Sequence, residues 1–190
     1  MSRLLIPVAA MAIVVVASNV LVQHPVQMWG LEDYLTWGAF TYPFAFLVTD
    51  LTNRRFGPAA ARRVVYVGFA CAVVLSFVLA TPRIAIASGA AFLTAQLADV
   101  AIFNLLRHKA WWRAPLTSSF ISGGVDTAIF FTLAFAATGL PSAEYAGLAL
   151  PVWIGWAFFD YLVKMGHAVV MLVPFRAISL RFQRTAGQPA

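Results

Sequence analysis

A few side chains interrupt the apolar runs of this chain with groups that hold protons, ions or strong hydrogen bonds. Asp126 stands in "SGGVDTAIFF", with no cation within several helical turns along the chain. Asp160 and Lys164 are four residues apart in "DYLVK", and Gln96 and Asp99 three apart in "QLADV". Asp50 precedes Arg54 by four residues in "FTYPFAFLVTDLTNRRFG", and Asn19 and Gln23 close "SNVLVQ". Carboxylates accept paired N–H donors, carry protons or hold ammonium groups, and amides both donate and accept. Bond-breaking chemistry has little support. There is no HExxH for a zinc protease and no GxSxG elbow. "GGVD" at 123–126 only superficially resembles the GxGD of intramembrane aspartyl proteases. No metal is expected, because no cysteine or carboxylate stands at ligand spacing beside His167. The single cysteine, Cys71, excludes an intrachain disulfide.

The elements that carry these groups are membrane helices. Of the 190 residues, 62% are hydrophobic and 11% charged, a surplus that a soluble domain of this length could not cover. The apolar runs are long enough to cross hydrocarbon and lack the alternation of a barrel strand. We read a single all-α domain over 1–190 with six transmembrane spans at about 4–23, 34–53, 63–81, 84–106, 115–138 and 152–175. Arg3 and the apolar run behind it form the first span, since the run is long for a cleaved leader. "ATPRIA" makes a tight turn between the third and fourth spans. "GLPSAEYAGLALP" joins the fifth and sixth and is partly interfacial.

Charge sets the orientation. One face collects Arg3, Arg54, Arg55, Arg62, Arg63, Arg107, Lys109, Arg113, Arg176, Arg181 and Arg184, whereas the other has Arg83 with Glu32, Asp33 and Glu144. The positive-inside rule places both termini in the cytoplasm. A net charge of +6 therefore reports topology, and no nucleic-acid partner is expected.

A charge at the middle of a membrane helix costs about 2.5–3.5 kcal/mol on insertion scales. Asp126 lies roughly 16 Å into the fifth span at 1.5 Å per residue, and Lys164 is at similar depth in the sixth. Local explanations exist for some of the set. Asp160 can neutralise Lys164, Asp50 can pair with Arg54 at the interface, and Gln96, Asn104 and Asn19 can act as interhelical glue. Asp126 has no sequence-local partner, and Lys164 is the one deep cation that can reach it from another helix. The economical arrangement is one polar cavity shared by the second, fourth, fifth and sixth spans. Trp37, Phe40, Tyr42, Phe44, Phe130, Phe131, Trp153 and Trp156 supply aromatic surface nearby. Pro43 is expected to kink or open the second helix. Carboxylates between aromatic walls suit a flat heterocycle with adjacent N–H donors.

With "SNVLVQHP", "TWGAFTYPFAFLVTDLTNRRFG" running into "ARRVV", "QLADVAIFN", "WWRAP", "VDT" and "DYLVK" in order, the chain resembles the YhhQ-type queuosine precursor transporters, a vitamin uptake transporter-like family. The likeness spans about residues 18–175. It implies a multi-pass importer in the cell inner membrane for 7-cyano-7-deazaguanine or 7-aminomethyl-7-deazaguanine, precursors for queuosine modification of tRNA. It further implies a fold similar to the substrate-binding subunits of energy-coupling-factor transporters, and no cofactor or enzymatic activity. Carried onto this sequence, the substrate-binding candidates are Asn19, Trp37, Phe44, Asp50, Gln96, Asp99, Asp126 and Lys164. The bet for the guanine-like edge is Asp126 or Asp99, with Asn19 and Gln96 adding hydrogen bonds. The alternative is a substrate-capturing subunit for a purine-like or vitamin ligand that depends on energising partners. Those subunits carry AxxxA in the first helix, and here Ala9, Ala10, Ala12 and Ala17 include no such pair. So thin a bundle is also compatible with a homodimer.

Overall fold

The computed structural model describes residues 2–28, 30–145 and 147–185, without the side chains of residues 2 and 183–185. Arg184, counted above with the basic face, thus has its side chain outside what is described. After a single turn of 3₁₀ helix, α1 (Leu5–Leu21) runs to a loop that leads into the five-residue α2 (Trp37–Thr41) and then α3 (Phe44–Phe56). There follow α4 (Pro58–Leu79), α5 (Pro82–Leu106) and α6 (Arg113–Phe135). A hairpin of β1 (Ser142–Tyr145) and β2 (Leu148–Pro151) precedes α7 (Val152–Val170) and α8 (Leu172–Thr185).

The sequence explains where these helices start and stop. Pro43 cannot donate a backbone hydrogen bond, and the second span breaks there into α2 and α3. Its helical part therefore covers 37–41 and 44–56 rather than an unbroken 34–53. Pro58 and Pro82 open α4 and α5 in the first helical turn, where a missing N–H is harmless. Gly57 alone joins α3 to α4 at φ 84°, a conformation that disfavours any side chain. Arg83 donates to the carbonyls of Leu133 and Ala136, so the base of α5 caps the last turn of α6. The segment between the fifth and sixth spans is a two-stranded antiparallel hairpin, the one β-sheet among the described residues. Gly155 of α7 accommodates it, since a Cβ there would lie 2.4 Å from the Tyr145 hydroxyl.

Among the described residues, four helical stretches are long and apolar enough to cross a membrane: Pro58–Leu79, Pro82–Leu106, Arg113–Phe135 and the nearly continuous Val152–Phe182. α1 is a shorter apolar helix of 17 residues. Large apolar side chains such as Ile6, Phe77, Ile86, Leu105 and Val173 project outward from the bundle, as a lipid-facing surface requires. The chain is a multi-pass membrane protein. Inside, Met11, Val64, Val65, Phe92 and Val100 form the core where α1, α3, α4 and α5 meet. Gly68 lets α4 close on Met11, whose Cγ would stand 2.6 Å from an added Cβ. At the arginine-rich end, Phe103, Ala114 and Phe175 form a second, smaller core.

Candidate functional site

The half of the bundle away from the arginine-rich end encloses a cavity of about 580 Å³, within the range of small-molecule sites. At the end away from the arginines it is lined by Gln23, Glu32, Asp33 and Thr81, in the loops that follow α1 and α4. Phe130, Phe131 and Phe135 of α6, Trp156 of α7 and Phe92 of α5 supply aromatic wall. The rings of Phe135 and Trp156 meet edge to face, with centroids 5.3 Å apart. α1 adds polar atoms from Ser18 and Asn19. Asn19 Nδ2 donates to the Val15 carbonyl at 2.9 Å. The buried Ser18 Oγ has no partner among the described residues.

The floor is an ionic cluster held by three elements. Lys164 Nζ donates to Asp126 Oδ2 at 2.7 Å, Asp160 Oδ2 at 2.5 Å and Thr127 Oγ1 at 2.9 Å. Tyr42, in the break between α2 and α3, donates its hydroxyl to Asp126 Oδ1 at 2.9 Å. Thr127 donates to Asp160 Oδ2 at 2.6 Å. Helical periodicity puts Asp160 and Lys164 one turn apart on α7, and the long Lys164 side chain spans the successive α6 residues Asp126 and Thr127. Gly123 contributes on α6, where the Lys164 stem lies 3.6 Å from the position a Cβ would take. The three charged groups and Tyr42 all line the cavity. Two carboxylates against one ammonium leave the floor with one excess negative charge, and Glu32 and Asp33 of the loop after α1 add to it. Such a site attracts cationic or donor-rich ligands.

Of the residues expected to bind substrate, the structure brings Asn19, Asp126 and Lys164 to this cavity, and the expected pairing of Asp126 with Lys164 is present. Trp37 and Phe44 do not line it. They lie on the outer side of the broken helix, 40% and 38% exposed. Phe44 packs against the His167 ring, and Trp37 against Phe40. Asp50, Gln96 and Asp99 are buried but belong elsewhere. Asp99 is seven residues beyond Phe92 on α5, roughly 10 Å further toward the basic end. The single shared cavity expected of the four spans is therefore two polar sites, one above and one below the floor. Asp50 does not pair with Arg54, which donates instead to the Arg107 carbonyl at 2.6 Å. Asp160, assigned from sequence only to neutralising Lys164, joins the site, as do Tyr42 and Thr127. Gln96 accepts from Thr49 Oγ1 at 2.6 Å, in the helix-glue role. His167 Nδ1 lies 3.3 Å from the Val163 carbonyl, as a hydrogen-bonded helix residue.

Comparison with known proteins places this arrangement. A family model described as "Putative vitamin uptake transporter" matches residues 36–80 and 75–178. A "Probable queuosine precursor transporter" of Haemophilus influenzae is 34% identical over 199 residues, covering 88% of this chain and 82% of its own length. The "Queuosine precursor transporter" of Escherichia coli is 35% identical with the same coverage of both chains. A "Probable queuosine precursor transporter" of Bacillus subtilis is 28% identical over 185 residues, covering 83% of this chain and 76% of its own. No solved structure matches. With the family model and these relatives matching most of the chain, the protein belongs to the vitamin-uptake-type transporter family that includes the queuosine precursor transporters.

Proposed function

We propose that this protein imports a queuosine precursor, 7-cyano-7-deazaguanine or 7-aminomethyl-7-deazaguanine, across the cell inner membrane. The observation that carries this reading is the cavity with a Tyr42–Asp126–Lys164–Asp160 floor, in a chain that shares most of its length with the relatives named above. The cavity lies toward the end opposite the arginines. With six spans and both termini in the cytoplasm, that end faces outward, ready to capture solute from outside. The fold then takes a form similar to the energy-coupling-factor substrate subunits, and the missing AxxxA of α1 favours a protein that works without separate energising partners.

The chemistry of the floor suits the ligand. The pyrimidinone edge of a deazaguanine offers a ring N–H beside an exocyclic amine, and a carboxylate accepts both at once. Asp126 has both oxygens committed, to Tyr42 and Lys164. Asp160 commits Oδ2 to Lys164 and Thr127, and its Oδ1 takes no hydrogen bond among the described residues. Asp160 is therefore the carboxylate with an oxygen, Oδ1, left to receive a donor of that edge, with Asp126 and Lys164 holding it in position. Phe92, Phe131 and Trp156 offer surface for the ring, and Asn19 and Ser18 can address the arm of the ligand. Binding of each precursor to purified protein, by calorimetry or scintillation proximity, tests the site. The expected result is saturable binding that Asp160→Asn and Asp126→Asn each weaken at least tenfold with the fold intact. Unchanged binding in both variants would exclude this floor as the site.

A further inference from the structure

Beneath the cavity floor lies a second polar cluster that substrate capture does not use. Asp50 of α3 and Asp99 of α5 are 2% and 0% exposed, and hydrogen bonds from Thr49 to Gln96 and from Asn53 to the Val100 carbonyl clamp the two helices together on either side of them. Neither oxygen of Asp99 has a donor among the described residues. The hydroxyls of α6 beside the pair are spent elsewhere or only half engaged. Ser122 donates to the Ser118 carbonyl at 2.5 Å, and Ser118 Oγ lies 3.4 Å from both Asp50 Oδ1 and the Pro115 carbonyl.

No cation among the described residues neutralises the pair. Lys164 of α7 is held by Asp126 and Asp160, and Arg54 of α3 is turned to the Arg107 carbonyl. Arg62 and Arg63 of α4 are exposed, while His167 of α7 contacts the Val163 carbonyl and the rings of Phe40 and Phe44. Ionised carboxylates only accept hydrogen bonds. Two of them facing one another in a dry interior have no hydrogen to share and two uncompensated charges. One proton between them supplies the missing donor and removes one charge.

We propose that Asp50 and Asp99 form a proton-carrying site that couples substrate movement to a proton gradient. The geometry links this site to the substrate cavity through Lys164. A crevice of about 20 Å³, lined by Asp50, Lys164 and His167, has room for one water. Lys164 lines both this crevice and the substrate cavity. While the pair holds its proton, the Lys164 ammonium stays on the floor and keeps Asp160 set for the ligand. When the proton leaves to the crevice water, the ionised pair draws the ammonium toward Asp50, and the floor, left without its counter-ion, releases the ligand. No other bond is made or broken.

The coupling rests on the transport reading, whereas the proton site does not, and two measurements separate them. Infrared difference spectroscopy of the full-length protein in lipid is expected to show a protonated-carboxyl band at neutral pH. Asp50→Asn or Asp99→Asn removes it, and Glu144→Gln, on the exposed hairpin, leaves it. Asparagine copies the shape of the protonated acid, and Asp99→Glu retains the band if Asp99→Asn fails to fold. Absence of the band from the unaltered protein overturns the proposal. In proteoliposomes, an inward gradient of one pH unit is expected to accumulate labelled 7-aminomethyl-7-deazaguanine about tenfold, the value for one proton per substrate. Asp99→Asn then exchanges label without accumulating it. Exchange that ignores the pH gradient, or follows a sodium gradient, overturns the coupling. No exchange at all rejects the substrate reading, and the infrared band still decides the proton site.

Discussion

Replacing Lys164 with methionine keeps the length of the side chain and removes the charge that holds the cavity floor together. In the native protein the Lys164 side chain is 6% exposed, and its ammonium serves Asp126, Asp160 and Thr127 at 2.7, 2.5 and 2.9 Å. Its removal leaves two carboxylates facing each other without a counter-ion. Breaking a buried pair by deleting one partner costs about 3–5 kcal/mol. For a chain of this size that corresponds to a fall of about 6–20 °C in melting temperature. The assay is thermal unfolding of detergent-purified protein, followed by ligand stabilisation. Adding Asp126→Asn to Lys164→Met removes one of the stranded charges and is expected to recover part of the loss. The two substitutions then depart from additivity by about 0.5–3 kcal/mol. A Lys164→Met protein that melts within a degree of the unaltered one, or a strictly additive double variant, would refute the ionic floor.

Tyr42→Phe deletes the hydrogen bond to Asp126 Oδ1 and is expected to cost about 1.5–3 kcal/mol, read by the same melting assay and by weaker ligand binding. Gly38→Ala places a Cβ 2.7 Å from the Val22 Cα, which is backbone and cannot give way. It should destabilise by about 1–3 kcal/mol, seen as lower yield of folded protein on size exclusion. Trp156→Ala strips a ring from the cavity wall and should weaken ligand binding about 2- to 12-fold by loss of aromatic contact, with little change in melting temperature.

The amino-acid pattern made some of this site legible because charge in hydrocarbon is costly enough to leave few solutions. One deep anion without a local partner and one deep cation on the next helix pointed to Asp126 and Lys164, and the structure pairs them. Depth along each helix was readable from a count of residues, but the direction in which each face points was not. That is why Asp99 and Gln96, at a credible depth on α5, were grouped with Asp126 although they lie below the floor. Tyr42 was named only for its ring, and its hydroxyl and that of Thr127 escaped because hydroxyls are cheap to carry in a membrane helix and stand out from no background. Pro43, read as a kink or opening, stands where the second span divides, whereas the exposure of Trp37 and Phe44 on either side of it left no mark in the sequence. The hairpin 142–151 was hidden by its brevity: "SAEY" and "LALP" are too short for alternation to declare a strand, and the turn shows only in Gly147 at φ 81°.

The central claim is that this chain alone carries a queuosine precursor inward through the cavity floored by Asp126, Asp160 and Lys164. The most direct test is the queuosine content of tRNA in cells blocked in precursor synthesis, lacking their own transporter and supplied with 7-cyano- or 7-aminomethyl-7-deazaguanine. Expression of the protein should restore queuosine at low external precursor, and Asp160→Asn at equal membrane abundance should not. Failure of the unaltered protein to restore it, or full restoration by the variant, would contradict the account.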